Sequence, residues 1–586
     1  MVMFHCLSRA WGQPLWDAQR YIDIDEIQPG MEAVCRTCYS GTTVEEFPLV
    51  VVSVVHDIEP GHDAILVQGL DDRFQHTGPV AGCSGSPVYI QGRMAGALAF
   101  GWPYSKDPLY GVTPIRSMLE IQEQADETSR TQLSSSPFRW NPTAPLDVQA
   151  VAASYQETVQ AYKMPRQNTM GLCISGIPNA GQEMIKEDLA PFGLIPLTGG
   201  GAGAVPDLPQ TTLTPGASLV IPLMEGDIQL AAIGTATEVR EGRVFAFGHS
   251  FLGYGAVDLP MATGYVHTIV SNLSRSFKLA SPLASMGALT YDGPVGIMGQ
   301  IGRQARMIDL NLTLDHYMKP GPRHYQCRMT ANELLGPTLL KTAVEGMMEG
   351  LGGYPPDHVL DYDVQVAIQD HEPLHFANIS VDMGLNELMN EVLSVMLLLQ
   401  SNPYRSMQID SIDLQARLSP LRKQAYLVGV EVDDKNVRPG QRINVKVTLE
   451  GHQGGRSQTE FSVQVPDDAA AGQRLLTVCG PYEYMQFVRQ TAPQRFTALD
   501  ADTLIRVLND VLNISRSQLY CVFLQPSSGL VVESRELPGL PASRAVVLQN
   551  SLKSVTVSPY HPWLEQTRRI DQIVAGKQSV KIEVVH

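Results

Sequence analysis

From residue 20 to residue 120 the chain is a succession of short runs, strand-like in their alternation, each closed by a glycine- or proline-bearing turn. Such alternation fits strands buried on one face, because successive side chains of a strand point to opposite sides. Turns fall at Pro29-Gly30 and Ser40-Gly41, Leu49 to Val55 is a β-branched stretch, and "GHDAILVQGLDD" leads on to Gly82-Cys83-Ser84-Gly85-Ser86-Pro87. This order predicts one small antiparallel β-barrel over 20–120. A second block of the same character, 215–305, carries turns at Glu225-Gly226-Asp227, Glu241-Gly242-Arg243 and Phe247-Gly248-His249, and predicts a second barrel.

A chain of 586 residues exceeds one core and predicts three or four domains. Residues 121–145 are rich in Ser, Thr, Gln and Pro and read as a linker, within a longer segment, 121–214, of linker and mixed α/β character. A helical piece is expected near Met184 to Leu194. The run "GGGAGAV" at 199–205 is followed by no Gly-Lys-Ser/Thr and reads as a connection, not a phosphate loop. An α+β accessory domain is expected over 306–420, with strands in "MIDLNLTL", "DYDVQVAIQD" and "MQIDSIDLQARL" and an amphipathic helix from Leu385 to Gln400. Alternating runs over 421–480 predict a β-sandwich, and 481–586 an α+β segment with a helix from Asp500 to Leu512. The fold class is mainly β and multidomain.

Apolar residues at 44% and charged residues at 18% place the chain among globular proteins. A net charge of −17 argues against a nucleic-acid partner, since no Lys/Arg stripe is left to neutralise phosphates. No run reaches the roughly 20 apolar residues of a membrane helix; the nearest, Leu385 to Gln400, contains Asn386, Glu387, Asn390 and Glu391. The opening "MVMFHCLSRAWGQPLW" is too short and too interrupted by His5 and Arg9 for a signal-peptide apolar region. Eight scattered cysteines predict no disulfide framework, and Cys35-x-x-Cys38 lacks the second pair that a zinc site needs. In Asp370-His371-Glu372 with His375, Pro373 breaks the helix that would align the two histidines, so no metal site is expected there.

The chemistry concentrates at residues 82–87. A serine oxygen attacks a carbonyl when the backbone bends sharply enough to expose it and to aim two N–H groups at the developing oxyanion. Glycines permit that bend. Gly-x-Ser-Gly-x-Pro resembles the nucleophile turn of chymotrypsin-like serine peptidases, which would make Ser84 the nucleophile and the N–H groups of Gly82 and Ser84 the oxyanion hole. It is not the α/β-hydrolase elbow, because residue 86 is serine where that motif has glycine. Taken alone, such a cluster is also what a plain hairpin turn looks like. Ser86 is the rival nucleophile, and Cys83 is expected to point away from the cleft.

The longer stretch "HTGPVAGCSGSPVYIQGRMAGALAFGWPYSKDPLYGVTPI" resembles the SpoIVB serine peptidase family, as do "PGM", "EEFPLVVVSVV" and "DAILV" before it. "FAFGHSF", "GAVDLPM" and "GPVGIMGQIG" resemble the same family, whose base lies in a Gly-His element, and this points to His249. The order departs from the family's sporulation peptidase, where the histidine block precedes the serine block. The resemblance implies a chymotrypsin-like double barrel with its cleft between the barrels, hydrolysis through an acyl-enzyme, no cofactor, a protein or peptide substrate, and work outside the cytoplasm. It also implies an orienting acid shortly before the serine, for which Asp71 comes first, with Asp258, Asp63 and Asp72 as alternatives. The competing class is a non-catalytic peptide- or protein-binding scaffold on the same fold.

Overall fold

The structure, a computed structural model, describes residues 15–585 apart from 103, 132–137, 139, 143, 162–168, 199–211, 452–453, 533 and 550–556. The glycine run 199–205 and most of the opening sixteen residues thus lie outside the described residues. Two compact units emerge, one formed from 1–135, 159–307 and 327–332, the other from 136–158, 308–326 and 333–586.

The first unit opens with strands β1 (Glu32–Cys38), β2 (Val44–Glu59), β3 (His62–Gly69), β4 (Val80–Ala81), β5 (Pro87–Ile90), β6 (Arg93–Gly101) and β7 (Leu109–Pro114), with helix α1 (Asp72–Thr77) after β3. Six of them close into a barrel in the order β1-β2-β3-β7-β6-β5, and every pairing is antiparallel. Alternation puts Ala33 and Cys35, Phe47, Leu49 and Val51, Ile65 and Val67 into one core with Val88, Ile90, Leu98 and Val112. Each large aliphatic or aromatic side chain buried there contributes about 1.5–3 kcal/mol.

Further along are β8 (Met170–Ser175), β9 (Leu194–Thr198), β10 (Ser218–Gly226), β11 (Gln229–Arg240), β12 (Arg243–Ala246), β13 (Gly255–Val270), β14 (Ser276–Gly293) and β15 (Gly296–Ile301). The pairings β10-β11, β11-β12, β12-β15, β15-β14, β14-β13 and β13-β10 run round a closed ring, all antiparallel. Numbered within its own ring, each set of six strands follows the order 1-2-3-6-5-4. One strand plan is therefore used twice. β8 adds to the outer edge of β11, and β9 to β8.

The linker expected over 121–145 is replaced in its first half by helix α2 (Ile115–Thr131). Its Ile115, Met118, Leu119, Ile121 and Ala125 recur at helical spacing and pack with Tyr21, Met94, Phe245, Val295 and Met298. Glu238, fully buried, fixes the segment before β1 by accepting from Arg20 Nε at 3.0 Å, Arg20 Nη2 at 2.6 Å and the Tyr21 hydroxyl at 3.0 Å.

In the second unit, strands Leu374–Val381, Val359–Ile368, Ile409–Ser419 and Met307–His316 lie side by side in that order, accompanied by helices Leu335–Leu351 and Asn386–Gln400. The latter was expected to be amphipathic, yet nearly every side chain from Leu388 to Gln400 is buried. Its buried Glu391 accepts from the Tyr362 hydroxyl at 2.7 Å and pairs with Arg516. His371 and His375 have separate partners, His371 contacting Arg405 and Asp502 and His375 pairing with Asp363. The sandwich reaches beyond residue 480, because strands Gln518–Leu524, Trp563–Arg569, Ile573–Ala575 and Lys577–Val584 complete its two sheets. Val445, Val447, Phe461, Val463, Leu476 and Val478 share one core with Leu519, Phe523 and Ile582.

Candidate active site

The 82–87 turn belongs to the connection between the third and fourth strands of the first barrel. Gly82 and Gly85 take φ of 98° and 93°, a left-handed range in which a Cβ is strained. At Gly85 a Cβ would also lie 2.0 Å from the Thr235 carbonyl oxygen and 2.5 Å from the Phe247 nitrogen. The turn thus rests directly on the second ring, and β11 fastens it. Thr235 N–H donates to the Ser84 carbonyl at 2.9 Å, the Thr235 hydroxyl to the Gly82 carbonyl at 2.9 Å, and the Thr237 hydroxyl to the Gly85 carbonyl at 2.7 Å.

With those carbonyls held, the amides sort into two kinds. Cys83, Gly85 and Ser86 N–H donate to the Val80, Leu98 and Cys83 carbonyls at 3.0, 2.7 and 2.9 Å. The N–H groups of Gly82 and Ser84 donate to nothing among the described residues. Ser84 is partly exposed, and its Oγ is 3.5 Å from the Ala99 carbonyl. Ser86 is fully buried, with its Oγ donating to the Cys83 carbonyl at 2.6 Å. Cys83 lies in the barrel core, and burial pushes its thiol up.

His249 lies in the connection between the third and fourth strands of the second ring, the counterpart of the position of Ser84 in the first. Phe247 and Gly248, at φ of 69° and 70°, turn the chain just before it. The Thr113 hydroxyl donates to the Gly248 carbonyl at 2.6 Å, and a Cβ on Gly248 would meet the Cβ atoms of Ala97 and Ala99 at 3.2 Å. The Gly248-His249 turn and Ser84 therefore flank the same stretch of β6. Phe247 N–H also reaches the Thr235 carbonyl, at 3.5 Å.

The half-buried imidazole has Nδ1 2.7 Å from the Ser250 carbonyl. A carbonyl only accepts, so Nδ1 carries the proton and Nε2 presents its lone pair. Burial holds the imidazole below its ordinary pKa of 6.5, and the charge of Arg275 acts in the same direction against the Ser250 hydrogen bond. Nε2 makes no hydrogen bond among the described residues, and the Ser84 hydroxyl is turned to Ala99 and not to the imidazole.

The carboxylates expected to orient His249 are engaged elsewhere. Asp71 caps α1, accepting from Arg73 N–H at 2.8 Å and pairing with Arg73 Nε at 3.0 Å; the guanidinium holds its carboxyl below the usual range. Asp72 is in the first turn of the same helix. Asp63 accepts from Asp57 N–H and pairs with His56, and Asp258 pairs with Arg303 and Arg306. Asp71, Asp63 and Asp258 thus satisfy other partners, and the imidazole's hydrogen bond goes to its neighbour's carbonyl.

Two groups with no sequence signal stand behind the site. Asp292, at the end of β14, is 2% exposed and accepts from the N–H groups of Phe251, Leu252 and Gly253 at 2.8, 2.5 and 2.7 Å. Burial nevertheless pushes its carboxyl up to about 6. Lys278, 1% exposed, packs its stem under Gly82 and donates to the hydroxyls of Thr37 at 2.9 Å and Thr235 at 3.1 Å; no carboxylate pairs with it among the described residues. Cys35 and Cys38 are free and buried, Cys35 in the first barrel's core and Cys38 in a cluster with Cys173, Val220 and Val266. Three positions apart on one strand, they face opposite ways. A cavity of about 280 Å³ lined by Thr42, Thr212, Thr214, Ala217, Ser218, Thr263 and Gly264 includes neither Ser84 nor His249.

No family model, curated protein or solved structure matches the chain.

Proposed function

We propose that the protein is a serine endopeptidase similar to the SpoIVB family, built on two chymotrypsin-like barrels with nucleophile and base exchanged between them. The observation that carries this reading is the pair of undonated N–H groups, Gly82 and Ser84, on either side of Cys83 in a turn whose Gly82, Ser84 and Gly85 carbonyls are held from β11 of the second ring. An oxyanion hole needs donors fixed in place and left free for the transition state. The repeated strand order supports the double-barrel part of the reading, since it puts Ser84 and His249 on equivalent connections.

In this mechanism Ser84 Oγ rotates from the Ala99 carbonyl toward Nε2 of His249, which takes its proton as Oγ bonds to the scissile carbonyl carbon. The oxyanion receives the Gly82 and Ser84 N–H bonds. The imidazolium then returns its proton to the departing amine, leaving an ester on Ser84. Water, deprotonated by the same Nε2, cleaves that ester and restores the enzyme. No cofactor enters these steps. Work outside the cytoplasm belongs to the proposal through the family resemblance alone.

Two observations favour the second reading, a peptide-binding scaffold: the imidazole is paired with no carboxylate among the described residues, and the serine hydroxyl is directed away from it. A fluorophosphonate probe separates the two. The peptidase reading expects covalent labelling that is lost in Ser84→Ala and kept in Ser86→Ala; native protein that takes up no label favours the scaffold.

A further inference from the structure

We infer that Asp292 is a positioning residue of this site: it fixes the 250–253 backbone so that the Ser250 carbonyl, in place of a side-chain carboxylate, orients the His249 imidazole. The inference rests on the peptidase reading for its purpose but not for its geometry. Three successive N–H groups, from Phe251, Leu252 and Gly253, converge on one carboxylate at 2.8, 2.5 and 2.7 Å. No cation pairs with Asp292 among the described residues, so these amides are what makes burial of its charge tolerable. Gly253 and Gly255, at φ of 69° and 71°, let the chain curl round the carboxylate and return into β13.

The consequence reaches His249 through one residue. With the 251–253 amides pinned, the Ser250 carbonyl directly before them has little freedom, and it is the acceptor 2.7 Å from Nδ1. The proton is therefore kept on Nδ1 and the lone pair on Nε2, the tautomer a general base requires. Asp292 touches neither ring nitrogen, so it acts through the backbone.

The test is nitrogen NMR of the full chain with labelled histidine, comparing wild type, Asp292→Ala and Asp292→Asn, with His249→Gln to identify the resonance. Wild type is expected to hold the Nδ1–H tautomer, and Asp292→Ala to lose that preference. Fluorophosphonate labelling of Ser84 should fall with it, by about 10- to 100-fold, the loss that follows when groups orienting a metal-ligating histidine are removed. Asp292→Asn keeps the shape and one acceptor oxygen but turns an NH2 toward the donors, so it should lie between the two. It serves as the deciding variant should the alanine protein not fold. Unchanged tautomer and labelling in both variants would overturn the inference. A tautomer change in protein that never takes up label would uphold the positioning role and reject the peptidase reading.

Discussion

Ser84 and Ser86 share one turn and have different duties. The Ser86 hydroxyl and N–H both donate to the Cys83 carbonyl, which polarises the peptide whose other end is the Ser84 N–H. Ser86→Ala should therefore still label at Ser84, but more slowly, with a stability loss of about 1 kcal/mol in thermal or denaturant melts. On the proposed peptidase reading His249 sets the pH profile. Its pKa is depressed below 6.5, so the neutral base persists into mildly acid solution, and the acid limb of the labelling rate should fall below the ordinary histidine range. By linkage its contribution to stability is present above 6.5 and lost as pH falls. Asp292 runs the other way: raised from 3.8 to about 6, its contribution is full below 3.8 and lost as pH rises through 6. The gap in melting temperature between wild type and Asp292→Asn should accordingly shift toward the variant between pH 4 and 7, and a gap independent of pH would refute the raised pKa. The glycines around Ser84 were legible because only glycine takes that backbone. The surroundings of the imidazole were not, since a carboxylate's partner is a matter of three dimensions: Asp71 precedes the serine suitably in sequence yet caps a helix, while Asp292 accepts from backbone amides and leaves no mark on the sequence.

Strands and turns were the easiest elements to read, because period-two alternation and glycine or proline punctuation are local. Ring closure was not, since nothing in β10 or β13 announces that they pair. Residues 121–131 are helical where a linker was expected for a related reason: Gln and Thr also occur on exposed helix faces, and it is Ile115, Met118, Leu119 and Ala125 that mark the packed one. How the 82–87 turn meets β11 yields a sharp prediction. A methyl group at Gly85 would collide with backbone atoms of Thr235 and Phe247, which cannot swing aside as a side chain can. Gly85→Ala should cost at least about 3 kcal/mol and strip the protein of labelling. Gly61→Ala, at a positive φ of 78° with open space around it, should cost only about 1–2 kcal/mol and leave labelling intact. Similar losses at the two positions in chemical denaturation would deny that the turn is seated on β11.

The whole molecule divides into two compact units, and the candidate chemistry lies wholly in the first. The second has its own buried polar centre, where Arg516 pairs with Glu391 and donates to the Tyr362 hydroxyl at 2.6 Å. Arg516→Met would leave Glu391, 4% exposed, without its cation, and should destabilise that unit by about 3–5 kcal/mol while labelling of Ser84 continues at the wild-type rate. The sandwich strands before residue 480 are legible in the sequence, while those after it are not assignable to the same domain, because alternation tells that a strand is half-buried and not which sheet receives it. Acyl transfer to Ser84 with His249 as base involves the first unit alone, and mass spectrometry of an acid-quenched reaction with an activated ester reads it out on the residue itself. The expected result is an acyl group on the tryptic peptide 74–93, located at Ser84 by fragmentation and absent when His249 is replaced by glutamine. Acylation at another residue, or at Ser84 with equal speed in the His249 variant, would contradict it.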